Sequence, residues 1–221
     1  MSVRLTKRRA SKLFTGKKSE KFRLLTLRPK GHTKVMYPGT HLLVSWTGAV
    51  NFLQGRRERA VVALTGVAPD LDGLGLAIDE FTGTTGYFIE YHHKLGHSLV
   101  SAFFFALLAS FFSKSQKITV WLVSFAVVHL HIFCDLIGAK GPDGYQWPLY
   151  YLYPFDADIA LVWSGQWALD AWQNDVTLLA LLLLCVFYLI RKEVTFFEVF
   201  SGWLDRESVK IYRKYLKRSD P

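Results

Sequence analysis

The chain has 221 residues, of which 51% are hydrophobic, and this length predicts one domain with a large apolar core. Its formal net charge of +9 comes from the two ends, because residues 1–34 hold twelve Lys or Arg and one acid, whereas residues 35–190 hold seven basic and twelve acidic residues. The two cysteines lack Cys-x-x-Cys spacing, which excludes a redox or zinc motif of that kind, and both are expected to be buried free thiols.

The uneven charge divides the chain into three parts. Residues 1–36 are expected to be a basic arm that is flexible or lies on the membrane surface, residues 37–192 a helical membrane domain, and residues 193–221 a basic amphipathic C-terminal helix. Basic segments beside an apolar body are typical of contact with anionic lipid headgroups, at about 1 kcal/mol per Lys or Arg near the surface. Nucleic acid is the competing partner, but the sequence has no nucleic-acid recognition motif. Membrane lipids are therefore the favoured partner, although a merely solvated tail would have the same composition.

Hydrophobic periodicity predicts an all-α chain with a membrane-associated helical bundle at its centre. The predicted helices cover residues 41–53, 60–67, 93–112, 118–137, 159–172, 176–190 and 196–216. Between them, a stretch rich in Gly and Thr at residues 71–90 is predicted to be a loop with one short helical turn. A second loop, at residues 138–158, is rich in Tyr and Trp, which favour the headgroup level of a bilayer.

One predicted helix has the full length of a membrane span. A span needs about 20 apolar residues, and residues 118–137 reach that length. Residues 99–112 and 176–190 are marginal, and the first two helices are too short. An odd number of crossings would place the basic N-terminal arm opposite the basic loops, against the positive-inside rule. At least one apolar helix is therefore expected to pack inside the protein without crossing the bilayer.

The first four helices form two predicted hairpins, and His and Asp residues lie at the same end of both. In an up-and-down arrangement these helix ends share one side, while the loops near residues 54–59 and 113–117 share the other. The residues at the shared end are His41, Asp70, Asp72, His97, His131 and Asp135. Imidazole nitrogen and carboxylate oxygen bind divalent metals such as Zn²⁺, and they are costly in an apolar segment unless something binds them. The pattern predicts a metal site at one end of the bundle.

Local spacing supports some of these residues and leaves alternatives open. His131 and Asp135 are four apart on a helix, so both project from one face and can chelate one ion, although a core histidine bonded to an aspartate would have the same spacing. His129 projects about 200° away from His131 and is expected to pack or to support the site. Asp70 and Asp72 face the same way in extended backbone, but a turn with an Asp cap would also fit.

The histidines before the third helix are ambiguous. If that helix begins before Tyr91, His93 is the i, i+4 partner of His97. If it begins at Gly96, His92 can reach the site from the preceding loop and His93 points away.

A series of motifs follows along residues 37–160. It consists of His41, Ala68-Pro69-Asp70-Leu71-Asp72, His92-His93-Lys94-Leu95-Gly96-His97-Ser98, His131-Ile132-Phe133-Cys134-Asp135 and an aromatic segment from Tyr145 to Phe155. This series resembles the YdjM-like inner-membrane metal-dependent hydrolases, a family distantly related to zinc-dependent phospholipase C and to single-strand nucleases. The resemblance implies a bacterial inner-membrane location and one to three divalent ions, with zinc favoured and manganese as the alternative.

The resemblance also implies a full set of metal ligands. These are His41, Asp70, Asp72, His92, His97, His131 and Asp135. The family motif, similar to His-Arg-x-x-Thr-His-Ser, selects His92 over His93 as the first ligand. The chain departs from that motif at His93 and Gly96, where Arg and Thr are usual.

The hypothesis for function is a membrane-bound hydrolase, similar to phospholipase C, that acts on a phosphoester or a lipid headgroup. A bound divalent ion would lower the pKa of a water from about 16 towards 7. Seven ligands fit two ions better than one, and Asp72, if unbound, is the candidate catalytic base. One alternative is a membrane-tethered nuclease whose basic arm holds phosphates. The other is a non-catalytic membrane protein with a closed metal site.

Overall fold

A computed structural model describes residues 3–7, 38–83, 86–141 and 144–217 of the chain. The predicted basic arm lies outside these residues apart from Val3–Lys7, which form strand β1. This strand pairs antiparallel with strand β2 (Ile159–Trp163), and Val3 lies opposite Trp163 in the register.

The rest of the ordered structure is helical. The helices are α1 (Pro38–Phe52), α2 (Arg56–Thr65), a first 3-10 helix (Ala68–Leu74), α3 (Gly75–Thr82), α4 (Tyr87–Tyr91), α5 (Leu99–Phe112), α6 (Lys117–Gly138), α7 (Trp172–Lys192), a second 3-10 helix (Phe196–Val199) and α8 (Gly202–Tyr215). The prediction of an all-α helical bundle is confirmed, and β1 and β2 are a short addition to it.

Two hairpins form the bundle, α1 with α2 and α5 with α6, and their connecting loops meet at one end. There the Arg57 side chain donates from Nε to the carbonyl of Phe112 at 3.0 Å. The backbone N–H of Ser115 donates to Oε1 of the buried Glu58 at 3.1 Å. The loops therefore share one end, as the hairpin pattern predicts, and the helix ends that carry His and Asp lie at the opposite end.

Small residues let the hairpins pack closely. Ala49 of α1 and Ala109 of α5 are buried in one apolar cluster with Val62 of α2 and Val127 of α6. A short side chain at a helix contact allows the two backbones to approach, which is a common device in membrane bundles. This packing fixes the four helix ends relative to one another.

Within the described residues, two helices are long and apolar enough to cross a membrane, α6 with 22 residues and α7 with 21. α7 begins at Trp172, so the segment at residues 176–190 that is marginal by sequence belongs to a helix of full span length. A further candidate combines α2 with the first 3-10 helix and α3, and it is bent by 43° at the break between them. α5, with 14 residues, is apolar but shorter.

The surfaces of α5 and α7 carry many exposed apolar side chains. The exposed large residues of α5 are Leu99, Val100, Phe103, Phe104, Leu107, Leu108, Phe111 and Phe112. Those of α7 include Val176, Leu179, Leu182, Leu183, Leu184, Val186, Phe187 and Ile190. A soluble monomer rarely exposes apolar patches of this extent, so these surfaces suit contact with lipid.

The predicted helix at residues 159–172 is wrong. Its first five residues form β2, and turns lead from there to the start of α7. Ile159 and Val162 are β-branched and suit a strand. The deciding interaction is the pairing with β1, whose residues lie far away in the sequence and are invisible to local periodicity.

The segment before α5 also differs from expectation. Residues 71–90, predicted as a loop with one helical turn, contain most of the first 3-10 helix, α3 and most of α4. α5 begins at Leu99 and not at residue 93, because Ser98 and Ser101 form a reciprocal capping box. His93 has a φ of +64°, which no right-handed helix contains.

The C-terminal segment, expected as one amphipathic helix, is divided into the second 3-10 helix and α8. Ser201 caps α8 by accepting from the backbone N–H of Leu204. The exposed surface of α8 carries both apolar residues, such as Trp203 and Ile211, and basic residues, such as Lys214.

Candidate metal centre

Four side chains from three parts of the chain meet at the end of the bundle away from the hairpin loops. They are Asp70 of the first 3-10 helix, His97 just before α5, and His131 and Asp135 near the end of α6, and one ligand atom from each lies within 4.8 Å of all the others. Asp70 has a side chain 26% exposed, whereas His97, His131 and Asp135 are buried. This buried cluster of Asp and His side chains could bind a metal ion.

His131 and Asp135 reach the cluster from one face of α6. His131 Nε2 lies 3.1 Å from Asp135 Oδ2. On its other side, His131 Nδ1 lies 2.8 Å from the carbonyl oxygen of Gly66, at the break between α2 and the first 3-10 helix. A carbonyl oxygen can only accept, so Nδ1 carries the proton. Nε2 of the neutral ring is therefore a bare lone pair that faces the cluster.

His97 is oriented in the same way by a different acceptor. Its Nδ1 lies 3.0 Å from Asp72 Oδ2, and an ionised carboxylate also only accepts. Nε2 of the neutral His97 ring is therefore bare, and it lies 3.2 Å from His131 Nε2 and 3.0 Å from Asp135 Oδ2. With both rings neutral, two lone pairs and a carboxylate oxygen converge on one point, which either a proton or a cation can occupy. A cation at this point would satisfy all three, so the donor set fits a metal ion.

The electrostatic environment of His97 favours positive charge. Burial by itself lowers the pKa of this imidazole, but the hydrogen bonds with Asp135 and Asp72 outweigh burial and raise the pKa above its ordinary value. Two carboxylates thus face a ring that has no contact with solvent. The same field stabilises a bound cation.

His41, at the start of α1, lies beside the cluster. Its Nε2 is 3.4 Å from Asp135 Oδ1, the carboxylate oxygen that does not face His97. Its ring centroid is 3.9 Å from that of His131. Both oxygens of Asp135 therefore lie beside histidine side chains. His41 is close enough to serve as a further metal ligand or to orient the Asp135 carboxylate.

Asp72 lies behind His97, outside the group of four. Its Oδ1 is 2.8 Å from His92 Nδ1, and its Oδ2 accepts from the backbone N–H groups of His93 at 3.0 Å and Gly96 at 3.1 Å in addition to His97. Oδ2, the oxygen that faces His97, therefore already has three hydrogen-bond partners. This placement differs from the predicted ligand and base, and it suits a residue that orients His97.

Neither His92 nor His93 belongs to the group of four. The His92 side chain bonds to Asp72 and stacks on Phe88, with ring centroids 4.6 Å apart. His93 is 3% exposed, its ring lies 4.5 Å from that of His97, and its Nδ1 has no hydrogen-bond partner among the described residues. Burial, reinforced by His97 and His92, holds the pKa of His93 well below its ordinary value. An unpaired buried nitrogen beside the cluster is a second sign that a ligand belongs here.

Two glycines allow the backbone to close around the cluster. A Cβ on Gly96 would lie 2.0 Å from the carbonyl oxygen of Pro69, so only glycine lets the His97 loop touch the segment that carries Asp70. A Cβ on Gly66 would lie 1.7 Å from Ser45 Oγ. Gly96 is one of the departures from the family motif, and in this chain the close contact explains it.

Sequence reasoning missed two partners of the cluster, the Gly66 carbonyl and Gln166. The Gly66 carbonyl cannot be predicted from residue type because it is a backbone group. Gln166 donates from Nε2 to the carbonyl of Asp135 at 2.8 Å, while its buried Oε1 has no partner in the described part of the chain. His129 lies apart and bonds to Tyr151 OH at 2.9 Å, which agrees with its predicted packing role.

Comparison with known proteins places the chain in a family. A search of curated proteins and a search of solved structures found no match to this chain. The family model described as YdjM inner membrane protein matches residues 36–199, which include all the helices from α1 to α7 and every residue of the cluster. The family match and the two helices that are long and apolar enough to span a bilayer both indicate a location in the membrane. The chain belongs to the YdjM inner membrane protein family.

Proposed function

We propose that this protein is a membrane-bound metal-dependent hydrolase that acts on a phosphoester or lipid headgroup. The observation that carries the proposal is the approach of His97 Nε2 to His131 Nε2 at 3.2 Å, beside Asp135 Oδ2, with both Nδ1 atoms held by acceptors. Two facing lone pairs repel each other, and a bound cation would relieve that repulsion while both nitrogens and the carboxylate coordinate it. The family match supports the membrane location and leaves the activity to be tested.

The residues that would hold the ion are Asp70, His97, His131 and Asp135, with His41 on the second oxygen of Asp135. A nitrogen and oxygen donor set of this kind suits zinc, with manganese as the alternative. A divalent ion bound there would supply a Lewis acid and a water that ionises near neutral pH.

The protein's own residues would position and protect that chemistry. Asp72 would hold His97 in the tautomer that leaves Nε2 free, which is a known role of carboxylates behind metal-bound histidines. The buried His93, with its free Nδ1, would offer a hydrogen bond to a substrate oxygen. Asp70 is the partly exposed member of the cluster, so substrate would approach beside it.

An open approach argues for a catalytic site over a closed structural one. Structural zinc sites surround the ion with buried ligands, whereas catalytic sites keep one position accessible. Asp70, with its side chain 26% exposed, leaves such an access point. The nuclease alternative differs in its substrate and predicts activity on single strands that falls steeply with salt.

Lipid is the proposed partner at the other end of the bundle. α8 exposes Trp203, Ile211 and Tyr215, at 61%, 58% and 69% of their surfaces, together with basic side chains. It follows α7, a candidate membrane span, after the second 3-10 helix. We infer that α8 lies on the membrane surface, where apolar residues reach the acyl boundary and lysines meet anionic headgroups.

The test is metal content and activity of detergent-purified protein, with His97→Ala and Asp135→Ala beside the wild type. Elemental mass spectrometry should find about one or more ions per chain in the wild type and only traces in both variants. Hydrolysis of phospholipid in vesicles should disappear with the metal. His129→Ala is the matched control, because this histidine shares α6 with His131 but bonds to Tyr151.

Three results would count against the proposal. Folded wild type that stays metal-free after reconstitution would remove the metal site. Tightly held metal with no hydrolysis of any phosphoester would favour the closed structural site. Salt-sensitive cleavage of single-stranded DNA without lipid hydrolysis would favour the nuclease.

A further inference from the structure

A groove of about 400 Å³ lies between α2 and α5. Its lining residues are Arg57, Val61, Leu64, Thr65, Ala68, Phe105, Leu108, Ala109 and Phe112. On each side they repeat at the i, i+3, i+4 and i+7 positions, which trace one face of a helix. The groove therefore runs along two neighbouring helices.

The groove offers hydrocarbon contacts along its length. Of its lining residues, only Arg57 and Thr65 are polar. Thr65 Oγ1 donates to the carbonyl of Val61 at 2.8 Å, within its own helix. Arg57 closes the far end, and its Nε donates to the carbonyl of Phe112. A polar ligand would find no partner between the two ends, whereas an acyl chain would be well matched.

The near end of the groove lies on the side of the metal centre. Ala68 lines this end and opens the 3-10 helix that carries Asp70. Asp70 is the member of the cluster with exposed surface. A molecule whose chain filled the groove would therefore place the group attached to that chain beside the cluster.

The groove is continuous with the surface that faces lipid. Leu64 and Leu108, which line it, are 55% and 40% exposed. Phe111 on the outer face of α5 is 75% exposed, and Leu71 and Leu74 beyond Asp70 are 58% and 59% exposed. For a member of an inner membrane family, the bilayer is the neighbour of such a surface. Lipid acyl chains are therefore the apolar groups that lie next to the groove and can fill it.

We infer that the groove between α2 and α5 holds one acyl chain of a lipid whose headgroup lies at the metal centre. The inference rests on the proposed function for its chemistry, and it narrows the substrate to acylated molecules that enter sideways from the bilayer. A soluble phosphoester with the same headgroup would lack the chain contacts and would be a poor substrate.

The binding test uses the full-length protein in vesicles of phosphatidylethanolamine and phosphatidylglycerol. A trace phospholipid with a diazirine on its acyl chain is photolysed, and peptide mass spectrometry locates the adducts. Adducts on Leu64, Leu108 and Phe112 should clearly exceed those on the outward-facing Leu107 and Phe111, which contact the surrounding lipid only in passing. Equal labelling of both faces would overturn the inference, because it would show ordinary contact with surrounding lipid. A protein crosslink in the groove would overturn it in favour of a helix as occupant.

Paired variants test the effect on hydrolysis. Leu108→Trp fills the groove and should lower kcat/KM for a long-chain lipid by about tenfold or more, since apolar pockets discriminate single methylenes by that factor. Leu107→Trp is the matched control, because Leu107 is the neighbouring residue of α5, is 54% exposed and does not line the groove. Neither variant should change the hydrolysis of the chain-free headgroup ester. Equal effects of both variants on the long-chain lipid would contradict the inference.

The two proposals can fail separately. In His97→Ala protein the groove should be labelled as in the wild type, because His97 does not line the groove. Groove labelling without any hydrolysis by the wild type would overturn the proposed function while the acyl-chain site stands. Hydrolysis that is indifferent to the acyl chain would support the proposed function and overturn the acyl-chain site.

Discussion

The two ends of the bundle each bury a group of charged and polar side chains, and they satisfy it differently. At the loop end, Glu198 is fully buried and accepts from Trp46 Nε1 at 2.8 Å and from Arg59 Nε and Nη2 at 2.6 and 2.5 Å. Arg59 Nη1 donates to the carbonyls of Leu53 and Gln54. Each of these donors faces an acceptor, and the positive charge of Arg59 balances the negative charge of Glu198.

At the opposite end, acceptors outnumber donors. As neutral rings, His97 and His131 face each other with unprotonated Nε2 atoms, and the carboxylate of Asp135 adds further lone pairs. His93 adds a buried nitrogen without a partner among the described residues. Burying charge is costly at both ends, and only the loop end is complete without an external group. A buried cluster with an excess of acceptors indicates a binding site, whereas a buried cluster with matched donors and acceptors indicates a structural role.

The largest expected effect is at the balanced end. Glu198→Ala leaves Arg59 as an unpaired buried charge and should lower the free energy of unfolding by about 3–5 kcal/mol. Metal content should stay at the wild-type level, because Glu198 lies at the other end of the bundle. Denaturant unfolding in detergent and elemental mass spectrometry measure the two quantities.

Glu207→Ala is the control for that variant. Glu207 pairs with Lys210 on the surface of α8, and such exposed pairs contribute about 0–1 kcal/mol. Loss of metal from Glu198→Ala protein that remains folded would contradict the separation of a structural end from a binding end.

A smaller effect is expected behind the metal centre. Asp72→Asn weakens the acceptor that orients His97 and should lower metal affinity by about 10–100-fold, as changes behind metal-bound histidines do. Competition with a chelator measures the affinity. A variant that binds metal as tightly as the wild type but has lost hydrolysis would instead favour the catalytic-base role that the sequence suggests for Asp72.

The smallest effect is expected at the exposed end of α7. Hydrogen bonds from Arg213 and then Lys217 hold the pKa of the Glu193 carboxylate below its ordinary value, at about 2. A depressed pKa means that the stabilisation of α8 by this contact is present above the unfolded-state pKa of about 4.5 and is lost as pH falls towards 2.

A thermal comparison with Glu193→Gln tests this pH dependence. The wild type should melt slightly above the variant at about pH 6, and the difference should shrink as pH falls below about 4.5 and vanish only below about pH 2. High salt should shrink the difference, because both partners are exposed to solvent. A difference that persists at low pH would mean that the glutamate acts through packing and not through charge.

Sequence by itself determined the features that depend on local spacing. The i, i+4 relation of His131 and Asp135, the apolar runs of the four hairpin helices and the turn residues between them are enough to place the metal-ligating residue types at one end of a bundle. They also identify the family. Each of these features can be inferred from neighbouring residues, because helix periodicity and turn chemistry are short-range properties.

Only the tertiary structure decided which atoms meet at that end. The Gly66 carbonyl that orients His131, the position of Asp72 behind His97 and the free nitrogen of His93 all depend on contacts between distant segments. The pairing of β2 with β1 does too, and it overrode a helical pattern at residues 159–172. A side chain's role in a cluster depends on which of its atoms are already bonded, and that is set by packing across the whole bundle.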